Sequence, residues 1–251
     1  MRLKSFIPNT ITSFNLLFGA TAVILAFKGE ENAAVYLILA AALMDFLDGF
    51  SARLLKAYSA IGKELDSLAD LISFGMVPSI LIFKRFEALL SSNMTDSNVL
   101  FLISLIPLSI ILFSALRLAK FNVDSRQTSG FLGLPTPANA ILIACYIYYA
   151  NLNPSFYVIE NRLLFWPIVS ILLSSLLVSN IPMFSLKLKN LKWKDNRIIY
   201  GFLFFGLWIA ALAVVFSVNW SGCIVILIVS YILFNIFRYL FTQLTVSRER
   251  N

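Results

Sequence analysis

Four aspartates stand inside two otherwise apolar helical runs, and that conflict constrains the fold more than any other feature. The stretch reads Asp45-Phe-Leu-Asp48-Gly49-Phe-Ser-Ala52-Arg53, and after eight residues Gly62-Lys-Glu-Leu-Asp66-Ser-Leu-Ala-Asp70. At about 100° per residue Asp45 and Asp48 share one helix face, and Gly62, Asp66 and Asp70 share another. The intervening residues include Lys56, Ser59 and Ala60, enough for a tight turn between two antiparallel helices. Each carboxylate left alone near a bilayer centre costs roughly 2.5–3.5 kcal/mol, so the four must face a cavity, a metal or a partner charge. Oxygen ligands of this kind suit hard divalent cations, Mg²⁺ or Mn²⁺.

The surroundings are those of a membrane protein. Hydrophobic residues make up 59% of the chain, far above the usage of soluble domains. Eight apolar segments stand out, at about 11–27, 33–55, 61–83, 98–118, 136–150, 162–179, 198–217 and 220–241. They predict an all-α integral membrane protein of about eight transmembrane helices, with a polar cavity between the second and third. The stretch Phe6-Ile7-Pro8-Asn9 predicts a short amphipathic helix at the membrane surface leading into the first span. The first apolar run lacks a small-residue cleavage site and is read as a retained helix. There is no histidine, which excludes histidine triads and histidine-ligated zinc and leaves carboxylates for general-base work. Cys145 and Cys223 lie in apolar runs and read as packing residues.

Basic residues set the orientation. With the N-terminus inside and eight spans, all of the 20 Lys and Arg residues face inward except Lys28, Lys84, Arg85 and Arg162. Both termini and the aspartates are therefore expected at the cytoplasmic face of the cell membrane. The net charge of +7 is a topology signal and an attraction for anionic membrane lipids; nothing in it points to nucleic acid. Residues 1–184 are expected to form a catalytic membrane domain of the amphipathic segment plus six spans. Residues 185–251, the Lys187–Arg197 run and two spans, are expected to be accessory.

The pattern D-x-x-D-G-x-x-A-R-x8-G-x-x-x-D-x-x-x-D resembles the signature of the CDP-alcohol phosphatidyltransferase family, and every fixed position is filled. The resemblance implies two divalent ions held by Asp45, Asp48, Asp66 and Asp70. It implies a CDP site at Asn9, Thr12, Asp48, Gly49, Ala52, Arg53, Gly62 and Asp66, where small residues leave room for the nucleotide. It gives Asp70 the role of general base toward the acceptor hydroxyl. It also implies a homodimer. Arg53 suits a phosphate, but serves equally as a positive-inside residue at a helix end.

Four further runs resemble the serine-using, type II phosphatidylserine synthase branch of that family. They are Ile7–Gly19, Asp66–Pro78, Leu116–Asn122 and Phe131–Pro137. The resemblance implies transfer of the phosphatidyl group from CDP-diacylglycerol to L-serine. Serine carries a carboxylate that needs a cation, for which Arg117 and Lys120 are candidates. Ser73, Phe74 and Gly75 are candidates for its other contacts, with the 131–135 loop beside them. A family member using glycerol 3-phosphate or inositol phosphate is the alternative enzyme, and would favour an extra basic cluster at the pocket. A cation transporter using the aspartates as its ion site is the alternative of another class; it gives no reason for the Gly49, Ala52, Arg53 and Gly62 spacing.

Overall fold

The computed structural model describes residues 5–93, 97–123, 131–184, 193 and 196–249. Each of the eight apolar segments is helical. The first is α1 (Phe6–Phe27) and the second α2 (Glu31–Leu55). The third is one long rod: α3 (Ala60–Asp70), a π-helical turn over Leu71–Met76, and α4 (Val77–Asn93). The fourth comprises α5 (Ser97–Ser104), a 3₁₀ turn at Ile106–Leu108 and α6 (Ser109–Val123). Then come α7 (Thr136–Leu152), the short α8 (Tyr157–Glu160), α9 (Phe165–Val178), α10 (Arg197–Val215) and α11 (Trp220–Glu249).

Among the described residues, five helices are long and apolar enough to cross a membrane: Phe6–Phe27, Glu31–Leu55, Ala60–Ser92, Asn98–Val123 and Trp220–Gln243. A sharply bent pair, Pro154–Glu160 with Phe165–Val178, makes a sixth candidate. The 17 residues of α7 reach about 25 Å at 1.5 Å per residue, short of a ~30 Å hydrocarbon core. The apolar part of α10, Ile199–Val215, is short in the same way.

Local chemistry explains the joints. α2 ends where Lys56 takes a left-handed conformation, φ 51°. Ser59 then caps α3, its Oγ accepting from the Gly62 amide at 3.0 Å, as an N-cap hydroxyl does. Gly133 has φ +75°, and a Cβ there would come 2.5 Å from the Leu177 carbonyl oxygen, so only glycine fits. It follows a two-residue antiparallel ladder, β1 (Phe131–Leu132) with β2 (Pro182–Met183). The N-terminal stretch departs from expectation. Phe6 to Asn9 are the first turn of α1 itself, not a separate surface helix. Pro8 sits within that turn, where a missing amide hydrogen costs nothing, so the helix runs through it.

Arg85 corrects a second expectation. It is not an outer-loop charge but lies inside α4, its side chain 9% exposed. It bonds Glu31 and Glu160, each at 2.6 Å, and also Asn151. The helix simply continues past residue 83, and three elements bring acceptors to the guanidinium. This ion network lies at the end of the bundle away from the aspartates: Glu31 lies about 21 Å along α2 from Asp45 at 1.5 Å per residue.

Phe74, Phe86, Ile38, Leu81, Ile147 and Leu177 form the centre of one apolar core. α1 packs along both α2 and α3. α11 packs on α7 and is tied to Phe184: Tyr231 donates to its carbonyl at 2.9 Å, and Asn235 Oδ1 accepts from its amide at 3.1 Å. Most of the basic run from Lys187 to Arg197 falls outside the described residues.

Candidate active site

The carboxylates converge where α1, α2 and α3 meet. Asp45, Asp48 and Asp66 each offer an oxygen, and the three atoms lie within 4.8 Å of one another. The i, i+3 spacing on α2 and the Ser59-capped start of α3 deliver this, as the helical period requires. Among the described residues no basic side chain pairs with any of the four aspartates. Asp66 Oδ1 is buried without a hydrogen-bond partner. Three clustered, uncompensated carboxylates with an orphaned oxygen form an oxygen-only donor set that fits a hard divalent cation.

α1 supplies what the spacing of the aspartates does not show. Thr12 donates its hydroxyl to Asp48 Oδ2 at 2.6 Å, and the Pro8 carbonyl lies 3.0 Å from the same oxygen. Asn15 Nδ2 donates to Asp70 Oδ1 at 3.1 Å. The aspartates of the second and third spans therefore sit at a three-helix junction, with α1 as the third element. Gly19 lets α1 come close: a Cβ there would sit 2.2 Å from Ser73 Oγ and 2.9 Å from its Cα. The Ser73 hydroxyl donates to the Asn15 carbonyl at 3.0 Å, so the π-helical turn after Asp70 is fastened to the residue that holds Asp70. Such turns recur at functional sites.

Asp70 lies one turn beyond Asp66 and is 8% exposed. Its Oδ1 takes the Asn15 bond, and its Oδ2 takes none among the described residues. It is not part of the tight three-carboxylate group.

The expected nucleotide residues lie on the same three helices as the aspartates. Gly62 faces Asn9: a Cβ there would come 2.8 Å from Asn9 Oδ1. Asn9 Nδ2 is buried and unpartnered. Gly49 and Ala52 are half-buried and Arg53 is exposed. Arg53 lies alongside Gly49, its Nη1 3.6 Å from where a Gly49 Cβ would be.

The expected serine residues divide. Arg117 is buried and donates from Nη1 to Thr136 Oγ1 at 3.0 Å. Lys120 is exposed, bonds Asn180 Oδ1 at 3.3 Å and lines a small groove with Arg117 and Ser179. Gly75 packs on Ser114, 3.1 Å from its Cβ to an added methyl. Phe74 has no exposed surface and sits in the apolar core, the place of a packing residue. Lys63 and Ser67 of α3 bond Asn122 at the end of α6, joining the aspartate helix to the Arg117 helix.

Comparison with known proteins agrees with this geometry. Residues 5–246 match the CDP-alcohol phosphatidyltransferase family. The CDP-diacylglycerol–serine O-phosphatidyltransferase of Helicobacter pylori (strain ATCC 700392 / 26695) is 29% identical over 250 residues, covering 97% of this chain and 95% of its own. The archaetidylserine synthase of Methanothermobacter thermautotrophicus is 35% identical over 170 residues, 65% of this chain and 69% of its own. The CDP-diacylglycerol–serine O-phosphatidyltransferase of Bacillus subtilis is 34% identical over 133 residues, 53% of this chain and 70% of its own. With its aspartate pattern assembled into one site and its whole helical body matched, the chain belongs to the CDP-alcohol phosphatidyltransferase family.

Proposed function

We propose that this membrane protein transfers the phosphatidyl group of CDP-diacylglycerol to the hydroxyl of L-serine, giving phosphatidylserine and CMP. The observation that carries the reading is the convergence of Asp45, Asp48 and Asp66, with Asp70 held one turn away by Asn15. The names of the relatives support serine as the acceptor.

Asp45, Asp48 and Asp66, with Asp70 at the edge, would hold divalent metal, Mg²⁺ or Mn²⁺. Two such ions when bound would neutralise the pyrophosphate and the departing phosphate of CMP. Asn9, Thr12, Gly49, Ala52, Arg53 and Gly62 form the nucleotide side: the glycines and alanine leave space, Thr12 orients Asp48, and Arg53 offers its donor fork to phosphate. Asp70 is the general base. Asn15 fixes Oδ1, and Oδ2 takes the proton of the serine hydroxyl as that oxygen bonds to the β-phosphorus and the bond to CMP breaks. Arg117 answers the serine carboxylate, with Lys120 at the groove mouth and Ser73 and Gly75 shaping the wall.

The catalytic part is residues 1–184, and the last two helices are accessory, α11 buttressing α7. The aspartates and both termini face the cytoplasm. Cysteines placed in the 185–197 loop should then label only from that side; labelling only from the outside would overturn the orientation. Assembly as a homodimer belongs to the same reading and is supported by the family resemblance alone.

The test is acceptor choice. Purified protein receives CDP-diacylglycerol, Mn²⁺ or Mg²⁺, and one radiolabelled acceptor at a time. Label should enter lipid from serine, poorly from ethanolamine, which lacks the carboxylate. Faster use of glycerol 3-phosphate or inositol phosphate than of serine would overturn the acceptor and leave the transferase chemistry standing.

A further inference from the structure

One corner of the bundle holds more orphaned polar atoms than any packing role explains. Arg117 Nε, Ser114 Oγ and both side-chain atoms of Asn139 are buried without a hydrogen-bond partner. Ser114 and Asn139 have no exposed surface, and Arg117 is 8% exposed. Burying an unpaired amide or hydroxyl costs free energy in any protein interior, and more in a membrane, where no water repairs the loss.

These atoms belong together. The Arg117–Thr136 bond joins α6 to α7 near the end of the first and the start of the second. One turn back along α6 from Arg117 is Ser114; one turn on along α7 from Thr136 is Asn139. At i, i+3 spacing each lies on the face of its helix that carries the bond. Both lead inward from it. Ser114 also touches Gly75 of the π-helical turn that follows Asp70.

We propose that Asn139 and Ser114, with Arg117, form the subsite that reads the zwitterionic head of an α-amino acid acceptor. The proposal rests on the serine reading above and assigns residues that the sequence motifs did not. The Arg117 Nε–H and the Asn139 amide N–H donate to the carboxylate. Asn139 Oδ1 and Ser114 Oγ accept from the ammonium. A zwitterion satisfies all four orphaned atoms at once, and its hydroxyl is then directed toward Asp70. Neutral acceptors are the right choice for the ammonium, because a second buried charge next to Arg117 would compete for the guanidinium.

The test is a steady-state comparison of Asn139→Ala, Asn139→Asp and Ser114→Ala with the unaltered protein, using serine and ethanolamine. Losing hydrogen bonds to a charged group predicts a serine KM raised about tenfold or more in Asn139→Ala. The KM for CDP-diacylglycerol should stay within about twofold. Asn139→Asp keeps an acceptor for the ammonium and repels the carboxylate, so its serine-to-ethanolamine preference should fall by about tenfold or more. Ser114→Ala removes one oxygen only and should raise the serine KM alone; it carries the test if the Asn139 variants do not fold. A serine KM within twofold of normal in Asn139→Ala or in a folded Ser114→Ala overturns the proposal. So does a common rise in both KM values, or an unchanged acceptor preference in Asn139→Asp. An unaltered protein that incorporates no serine would instead remove the acceptor reading on which the proposal stands.

Discussion

Asn15 and Asp70 are 55 residues apart in sequence and joined by a 3.1 Å hydrogen bond inside the bundle. The bond makes α1 part of the aspartate site. It gives the deepest carboxylate a fixed orientation with one oxygen left over. The same asparagine accepts from Ser73 through its carbonyl, so a single residue sets both Asp70 and the turn beyond it.

Replacing Asn15 by Ala should therefore lower kcat and leave the three-carboxylate cluster intact. A hydrogen bond to a charged group contributes about 1.5–3 kcal/mol, which corresponds to about 10- to 100-fold in rate. Mn²⁺ affinity measured by calorimetry should stay within a few fold. A variant with unaltered kcat would show that Asp70 does not depend on Asn15.

Asp45→Asn and Asp66→Asn each remove a charged oxygen from a group whose members lie within 4.8 Å. Both should bind Mn²⁺ at least tenfold more weakly and lose activity with it. Titration calorimetry of each variant in detergent or nanodiscs is the check. Unchanged binding in both would remove the metal assignment.

How much of this was legible in the sequence follows from what is local. The i, i+3 and i, i+4 spacing of Asp45, Asp48, Asp66 and Asp70 is fixed by helix geometry, so the convergence could be read before any tertiary contact was known. So could the helical character of the apolar segments, since apolarity marks them, although only five described helices, or six with the bent pair, are long and apolar enough to span. The partners were less accessible, because they come from other helices. Asn15 and Asn139 carried a signal, an amide within an apolar helix, but not its meaning; each is explained only by what faces it. Arg85 was misread as loop charge because hydropathy counts a buried arginine and an exposed one alike. The π-helical turn over Leu71–Met76 leaves no pattern in composition, and shows itself only in the backbone.

Arg85 yields a prediction about stability rather than chemistry. Its removal would strand Glu31 and Glu160, the latter 4% exposed, beside each other at the far end of the bundle. Breaking a buried pair by removing one partner costs about 3–5 kcal/mol. Arg85→Leu should show a clearly lower melting temperature. A companion Arg85→Leu, Glu160→Gln, Glu31→Gln variant should regain part of it. A single variant as stable as the parent would mean the network is not structural.

The central claim is that Asp70 takes the proton of the attacking hydroxyl at a metal-binding carboxylate site. Serine-dependent CMP release by Asp70→Asn at saturating Mn²⁺, with CDP-diacylglycerol binding measured alongside, tests it most directly. The expected result is substrate affinity within a few fold of normal and turnover lower by about 10²–10⁴-fold, which added metal does not restore. Near-normal turnover at high Mn²⁺ would contradict it and reduce Asp70 to a metal ligand.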